Sequence, residues 1–196
     1  GVITTSDVIR PHAKDTVGRL KGLGLEVGIL TGDNRYVAGV LANELNIKTV
    51  LSEVLPGGKS NEIKKMQAKG LTVGMVGDGI NDAPALAQAD LGIAVGSGAD
   101  VAIEASDITL MTNDLRAVVD AIELSNKTMA KVKQNLFWAF FYNCLGIPIA
   151  AGALYPTFGI LLNPVYAALA MAFSSVSVVS NSLLLKRFIS KSRICK

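Results

Sequence analysis

The chain has 196 residues and a formal net charge of +3, yet only 18% of its residues are charged, half are apolar and the mean hydropathy is +0.41. Through Lys133 it carries 16 acidic and 14 basic residues; Gln134 to Leu185 is then 52 residues without a charge, and five basic residues follow. These figures exclude a plain soluble globule, and they exclude a nucleic-acid-binding surface because the basic residues flank the apolar run instead of clustering on one soluble face.

About 130 residues suffice for one soluble domain, and roughly 50 uncharged ones for two membrane spans. Cys144 sits in the apolar run and Cys195 in the basic tail, so the expectation is a reducing setting and no disulfide framework. The chain opens Gly-Val-Ile with no signal pattern, and it is expected to be a piece of something longer.

Short β-branched or apolar runs alternate with helix-like stretches, the signature of an α/β domain with a parallel sheet. Strands are expected at Val2–Thr4, Glu26–Leu30, Thr49–Ser52, Leu71–Val76, Leu91–Val95 and Ile108–Met111. Helices are expected over Pro11–Leu23, Arg35–Leu45, Lys59–Lys69 and Asn81–Ala89. Gly96-Ser97-Gly98 reads as a joint, and after Asp114 one long helix runs through Lys133 into the apolar segment. The resulting organisation is an α/β domain over 1–114, a cytosolic helix over 115–134, spans over 135–155 and 164–185 around an external turn at 156–163, and a basic tail over 186–196. Each span, at ~1.5 Å per residue, reaches about the ~30 Å of a bilayer core. Lys127, Lys131 and Lys133 precede the first span, Lys186, Arg187, Lys191, Arg193 and Lys196 follow the second, and the turn is uncharged. Both ends and the α/β domain are therefore expected in the cytosol, with the turn outside.

Asp78 lies between two glycines at the end of the clearest strand, and Asp82 follows at a helix start. Two carboxylates at that spacing suit a small hard cation such as Mg²⁺, and Asn81 between them can bond a phosphate oxygen or hold a carboxylate. An Asp-Gly turn followed by an N-cap aspartate explains the same residues about equally well. Thr31-Gly32-Asp33 offers a hydroxyl and backbone N–H groups for phosphate, or simply a capping turn. Lys59, after Pro56-Gly57-Gly58, is either a counter-charge for a phosphoryl group or a solvated lysine. Taken singly the plain reading leads for these last two; their common position after strands of one parallel sheet, hence on one edge, favours a site.

The run Met75-Val76-Gly77-Asp78-Gly79-Ile80-Asn81-Asp82-Ala83-Pro84-Ala85-Leu86 resembles the hinge motif of P-type ATPases, cation pumps built on a haloacid-dehalogenase-like phosphorylation domain. Thr31-Gly32-Asp33-Asn34 resembles their second phosphate-binding motif and Lys59 their phosphate-contacting lysine, although Gly57-Gly58 stand where acidic residues are usual. The hairpin of spans resembles the last two membrane helices of the heavy-metal branch. The resemblance implies a haloacid-dehalogenase-like (Rossmann-like) domain, an aspartyl phosphate formed from ATP, Mg²⁺ held by Asp78 and Asp82, and ATP phosphate near Thr31, Gly32, Asp33, Lys59 and Asn81. The DKTGT nucleophile motif, the TGE motif and the CPC motif of such pumps are not in this sequence. This implies the carboxyl-terminal part of a pump, inactive alone, whose partners are a missing upstream half, a lipid membrane and a copper chaperone, though no docking site for the chaperone is legible.

Neither span contains a charged residue or histidine, so a hard divalent ion finds no carboxylate there. A thioether with neutral oxygens suits a soft monovalent ion. Met171 and Ser175 share a helix face, and Tyr142-Asn143 lies mid-span; packing and serine back-bonding are the competing explanation. Tyr142, Asn143, Met171 and Ser175 together resemble the signature of copper(I)-exporting members, implying export of Cu(I), or equally Ag(I), from the cytosol. The competing readings are a non-catalytic membrane-tethered module that binds Mg²⁺ and phosphate, and a membrane-anchored phosphatase of the same fold.

Overall fold

The computed structural model of the protein describes residues 9–78, 80–96, 100–153, 155–159 and 164–187. The strand expected at Val2–Thr4 and the Ser97-Gly98 part of the joint lie outside these residues. The chain divides into two units, Gly1–Asp120 and Ala121–Lys196.

The first unit alternates helices and strands in the expected order: α1 (Ala13–Gly22), β1 (Gly28–Leu30), α2 (Arg35–Glu44), β2 (Thr49–Leu51), α3 (Pro56–Ala68), β3 (Gly74–Gly77), α4 (Ala83–Gln88), β4 (Leu91–Val95), α5 (Asp100–Glu104) and β5 (Ile108–Leu110). Local chemistry sets the ends. Asn34 caps α2 by accepting from the Val37 N–H at 2.9 Å, and Pro56 occupies the first turn of α3, where its missing N–H costs nothing. Gly70, at φ 80°, closes α3 in the left-handed region that a Cβ disfavours. The short α5 was not anticipated; five residues carry too little periodicity to register.

All strand pairing is parallel, as expected of strands joined by helical crossovers. Among the described residues the strands pair in two ladders, β1 with β2, and β3-β4-β5. Register runs Ile29 opposite Val50, Val76 opposite Ile93 and Ile93 opposite Ile108. The strand expected at Val2–Thr4 is not among the described ones, and Val76 in β3 is 40% exposed.

β4 is covered on both faces, with Ile93, Ala94 and Val95 buried, while Ile63 of α3 and Leu86 of α4 are the largest side chains buried nearly completely in the helices. Each such aliphatic side chain stabilises the fold by about 1.5–3 kcal/mol. A second cluster joins Ala13 and Val17 of α1 to Ala42, Leu45 and Ile47 around α2. Arg19 of α1 donates to Asp120 at 3.2 Å.

α6 (Arg116–Ala150) is one 35-residue helix that begins in the first unit and continues through most of the described first half of the second. Asp114 caps it, accepting from the Arg116 N–H at 3.0 Å and from its guanidinium at 2.7–3.1 Å. That guanidinium holds the Asp114 carboxyl below its ordinary pKa. The segment expected to span 135–155 ends earlier as a helix, at Ala150. Pro148 cannot donate to the carbonyl four residues back, and Gly152, at φ 87°, turns the chain. α7 (Tyr155–Phe158) and α8 (Pro164–Leu183) follow, with a 3₁₀ turn over Leu184–Arg187. Among the described residues no helix is long and apolar enough to cross a membrane.

Candidate functional site

The Thr31–Asp33 loop leaves β1 and is closed by its own side chains. The Thr31 hydroxyl donates to Asp33 Oδ2 at 2.7 Å and accepts from the Asp33 N–H at 3.1 Å. The loop is also sewn to the segment after β2, where the Glu53 N–H donates to the Asp33 carbonyl at 2.8 Å and the Val54 N–H to the Thr31 carbonyl at 3.1 Å. Both strand ends therefore hold one rigid turn. Gly32 is exposed in it, and a Cβ there would touch the Val54 carbonyl at 3.4 Å.

Asp78 directly follows β3, and Asn81 and Asp82 lie in the 3₁₀ turn Ile80–Asp82 that leads into α4. Lys59, in the first turns of α3, donates to Asp82 Oδ1 at 2.7 Å, and the two side chains are only 14% and 15% exposed. Gly77 makes this possible: a Cβ on it would stand 2.8 Å from Asp82 Cβ and 2.9 Å from Oδ2. Asp78 is ion-paired with Arg10, both about half exposed.

The structure thus brings together Lys59, Asp82 and Gly77, and places Asp78 at the same strand end. Asn81 is exposed beside them, while the Thr31–Asp33 turn is bonded instead to the segment after β2. Arg10 was not anticipated: a basic residue before Pro11 carries no signal of its own, and only the tertiary fold sets it against a carboxylate 68 positions away. Among the described residues no three histidine, cysteine or acidic residues gather as a ready-made metal cage. The two carboxylates nevertheless suit Mg²⁺, which usually takes one or two carboxylates and completes its shell with water and phosphate oxygens. Their cationic partners show that each already attracts positive charge. At the opposite end of β3, Asp90 is held below its ordinary pKa by the Val73 N–H, which donates to it at 2.7 Å, and by the Gln67 side chain.

In the second unit Tyr142 and Asn143 lie on α6 and Met171 and Ser175 on α8. The Tyr142 ring stacks on Trp138 with centroids 5.8 Å apart. Asn143 donates its amide N–H to the Ala139 carbonyl at 2.9 Å, one turn back on the same helix. The Met171 side chain is outside the described part. Cys144 is an exposed free thiol.

The haloacid dehalogenase-like hydrolase family model matches residues 1–90. With parallel strands joined by helices and acidic residues at the strand ends, the first unit is a haloacid-dehalogenase-like α/β domain. The chain is 59% identical over 189 residues, 96% of its length, to a probable copper-exporting P-type ATPase of Archaeoglobus fulgidus, and 56% identical over 95% of its length to the probable copper-transporting ATPase PacS of Synechocystis. It covers 23% and 25% of those proteins, so it spans about a quarter of the length of the curated relatives it matches. The crystal structure of a zinc-transporting PIB-type ATPase in an E2.Pi state superimposes with a TM-score of 0.79 at 35% identity, over 92% of this chain and 28% of that one. Over nearly its whole length the chain is thus similar in sequence to copper-exporting and copper-transporting ATPases, and in structure to a zinc-transporting one.

Proposed function

We propose that the chain is the carboxyl-terminal part of an ATP-driven copper(I) export pump working through an aspartyl phosphate, with the nucleophilic aspartate on a segment outside this sequence. The observation that carries the reading is the Lys59–Asp82 pair at the strand end that also bears Asp78. Asp82 takes one of the three ammonium donors of Lys59 and so fixes the position of its charge, leaving two donors for phosphoryl oxygens. Asp78 and Asp82 would hold Mg²⁺, with Asn81 beside them; bound there, the ion supplies charge neutralisation to the transferring phosphoryl group. The Thr31–Gly32–Asp33 turn would meet the phosphate oxygens of ATP, the Thr31 hydroxyl turning away from Asp33 to donate to them.

Tyr142, Asn143, Met171 and Ser175 would line the path of Cu(I), or of Ag(I), which takes the same soft and neutral donors. Residues 135–155 and 164–185 would cross the membrane, with the first unit and both ends in the cytosol; the uncharged run between two basic flanks supports this. A copper chaperone would be the source of the ion. The test is metal-stimulated ATP hydrolysis in liposomes, comparing this chain alone with this chain plus the upstream half supplied separately. Stimulation by Cu(I) of the combination only is the expected result. No stimulation of either, with Mg²⁺ still bound by the first unit, would replace this reading with a non-catalytic Mg²⁺- and phosphate-binding module.

A further inference from the structure

Four polar side chains link α6 to α8 in a single hydrogen-bonded series. Lys131 Nζ donates to Asn181 Oδ1 at 2.7 Å, Asn181 Nδ2 to Asn135 Oδ1 at 2.7 Å, Asn135 Nδ2 to Ser182 Oγ at 2.9 Å, and Ser182 Oγ to the Val178 carbonyl at 2.9 Å. The direction of the series is forced. An ammonium can only donate, so Asn181 must turn its oxygen to Lys131 and its nitrogen to Asn135, which must in turn offer nitrogen to Ser182. The series starts on a charge and ends on a backbone carbonyl, and each bond polarises the next. Sliding either helix by one residue would break several bonds together.

The two helices are antiparallel, as chain length requires. α6 extends 15 residues beyond Asn135 and α8 begins 17 residues before Asn181, about 22 Å and 26 Å at ~1.5 Å per residue. A parallel pair would need the connection from Ala150 to Pro164 to run back about 48 Å. With Tyr155–Phe158 helical, fourteen steps reach only about 41 Å even if all the others are fully extended.

Antiparallel packing from this fixed point sets the level of every residue above it. Tyr142 and Asn143 stand seven and eight residues along α6 from Asn135, about 11–12 Å from the series. Ser175 and Met171 stand six and ten residues back along α8 from Asn181, about 9 Å and 15 Å from it. The four residues assigned above to the ion path therefore fall at one depth, with the Tyr142–Asn143 pair between the levels of Ser175 and Met171. We infer that Lys131, Asn135, Asn181 and Ser182 are positioning residues: they form a register lock that brings the ligands of the two helices level. This deepens the ion-path reading and rests on it for the identity of the ligands, while the lock itself rests on the hydrogen bonds alone.

The test uses the full 196-residue chain in lipid nanodiscs, with Cys144→Ser and Cys195→Ser and spin labels at Leu145→Cys and Phe173→Cys, both exposed positions. Double electron–electron resonance gives the interhelical distance, and competition with a Cu(I) chelator gives the affinity. Asn181→Ala and Asn135→Ala should each broaden or shift the distance distribution and weaken Cu(I) binding at least about tenfold, and the double variant should do little more than either single one. Ser182→Thr, which keeps the hydroxyl, should leave both readings at the parent values. A distance distribution unchanged in Asn181→Ala overturns the lock, and a shifted distribution with undiminished Cu(I) affinity overturns its positioning role. If the parent chain binds no Cu(I) while the distances still depend on Asn181, the lock stands and the ion-path reading falls.

Discussion

Gly77→Ala tests how the site is built. A methyl at residue 77 would come to 2.8 Å from Asp82 Cβ, 2.9 Å from Oδ2 and 3.1 Å from Cγ, all inside van der Waals contact. Cβ is tied to the backbone of the 3₁₀ turn, so rotating the Asp82 carboxylate relieves only part of the clash; the turn itself must move. Forcing an extra carbon into packed surroundings costs about 1–3 kcal/mol. The Lys59–Asp82 bond of 2.7 Å should also be lost. Gly74→Ala is the control on the same strand, because its added Cβ meets nothing nearer than the Leu91 carbonyl at 3.8 Å; it should stay within about 0.5 kcal/mol of the parent. Hydrogen exchange of the β3 and β4 amides in the full chain, read together with denaturant midpoints, reports both quantities. Equal stability of the two variants would refute the claim that Gly77 is required by the approach of Asp82.

Other consequences can be checked in the same protein. A double-mutant cycle of Lys59→Met with Asp82→Asn should give a coupling of about 1–2 kcal/mol, because the pair is largely shielded, whereas Arg10→Gln with Asp78→Asn, half exposed, should give about 0–1 kcal/mol. The Asp90 carboxyl is depressed in the folded chain by the Val73 N–H, so its stabilisation is complete above its ordinary value of 3.8 and is lost as pH falls below it. Asp90→Asn should therefore flatten the acid limb of stability against pH and leave the neutral range unaltered in slope. In the reconstituted pump, Asp78→Asn should abolish Mg²⁺-dependent phosphoenzyme in a chain that still folds; loss of the protein with phosphorylation intact in what survives would contradict its role. Met171→Ala should weaken Cu(I) stimulation and spare phosphorylation from inorganic phosphate, and a selective loss of Zn²⁺ stimulation instead would contradict the choice of ion.

The α/β order was legible because several elements of the first unit are bounded by residues with a local mechanism, such as Asn34 capping α2, Pro56 opening α3 and Gly70 closing it. That Asp78 and Asp82 both follow β3 was legible from their spacing of four positions. The cations on those carboxylates were not, since Arg10 and Lys59 arrive from elements 68 and 23 residues away and side-chain pairing at that separation has no periodic signature. Hydropathy showed the apolar run and misplaced the end of its first helix, because a sliding average passes over Pro148 and Gly152, which terminate α6 sterically. The hydroxyls and amides of Asn135, Asn181 and Ser182 have no periodic signature in that run; only helix pairing shows that they bond to one another.

The shielding of the Lys59–Asp82 pair has a consequence for covalent chemistry. An amine attacks an acylating reagent only through its unprotonated form, and a neighbouring carboxylate that accepts from the ammonium favours the protonated one. Lys59 is bonded to Asp82 and only 14% exposed, whereas Lys65 on the same helix is 68% exposed. Acylating reagents should therefore label Lys65 first and leave the shielded lysine for last.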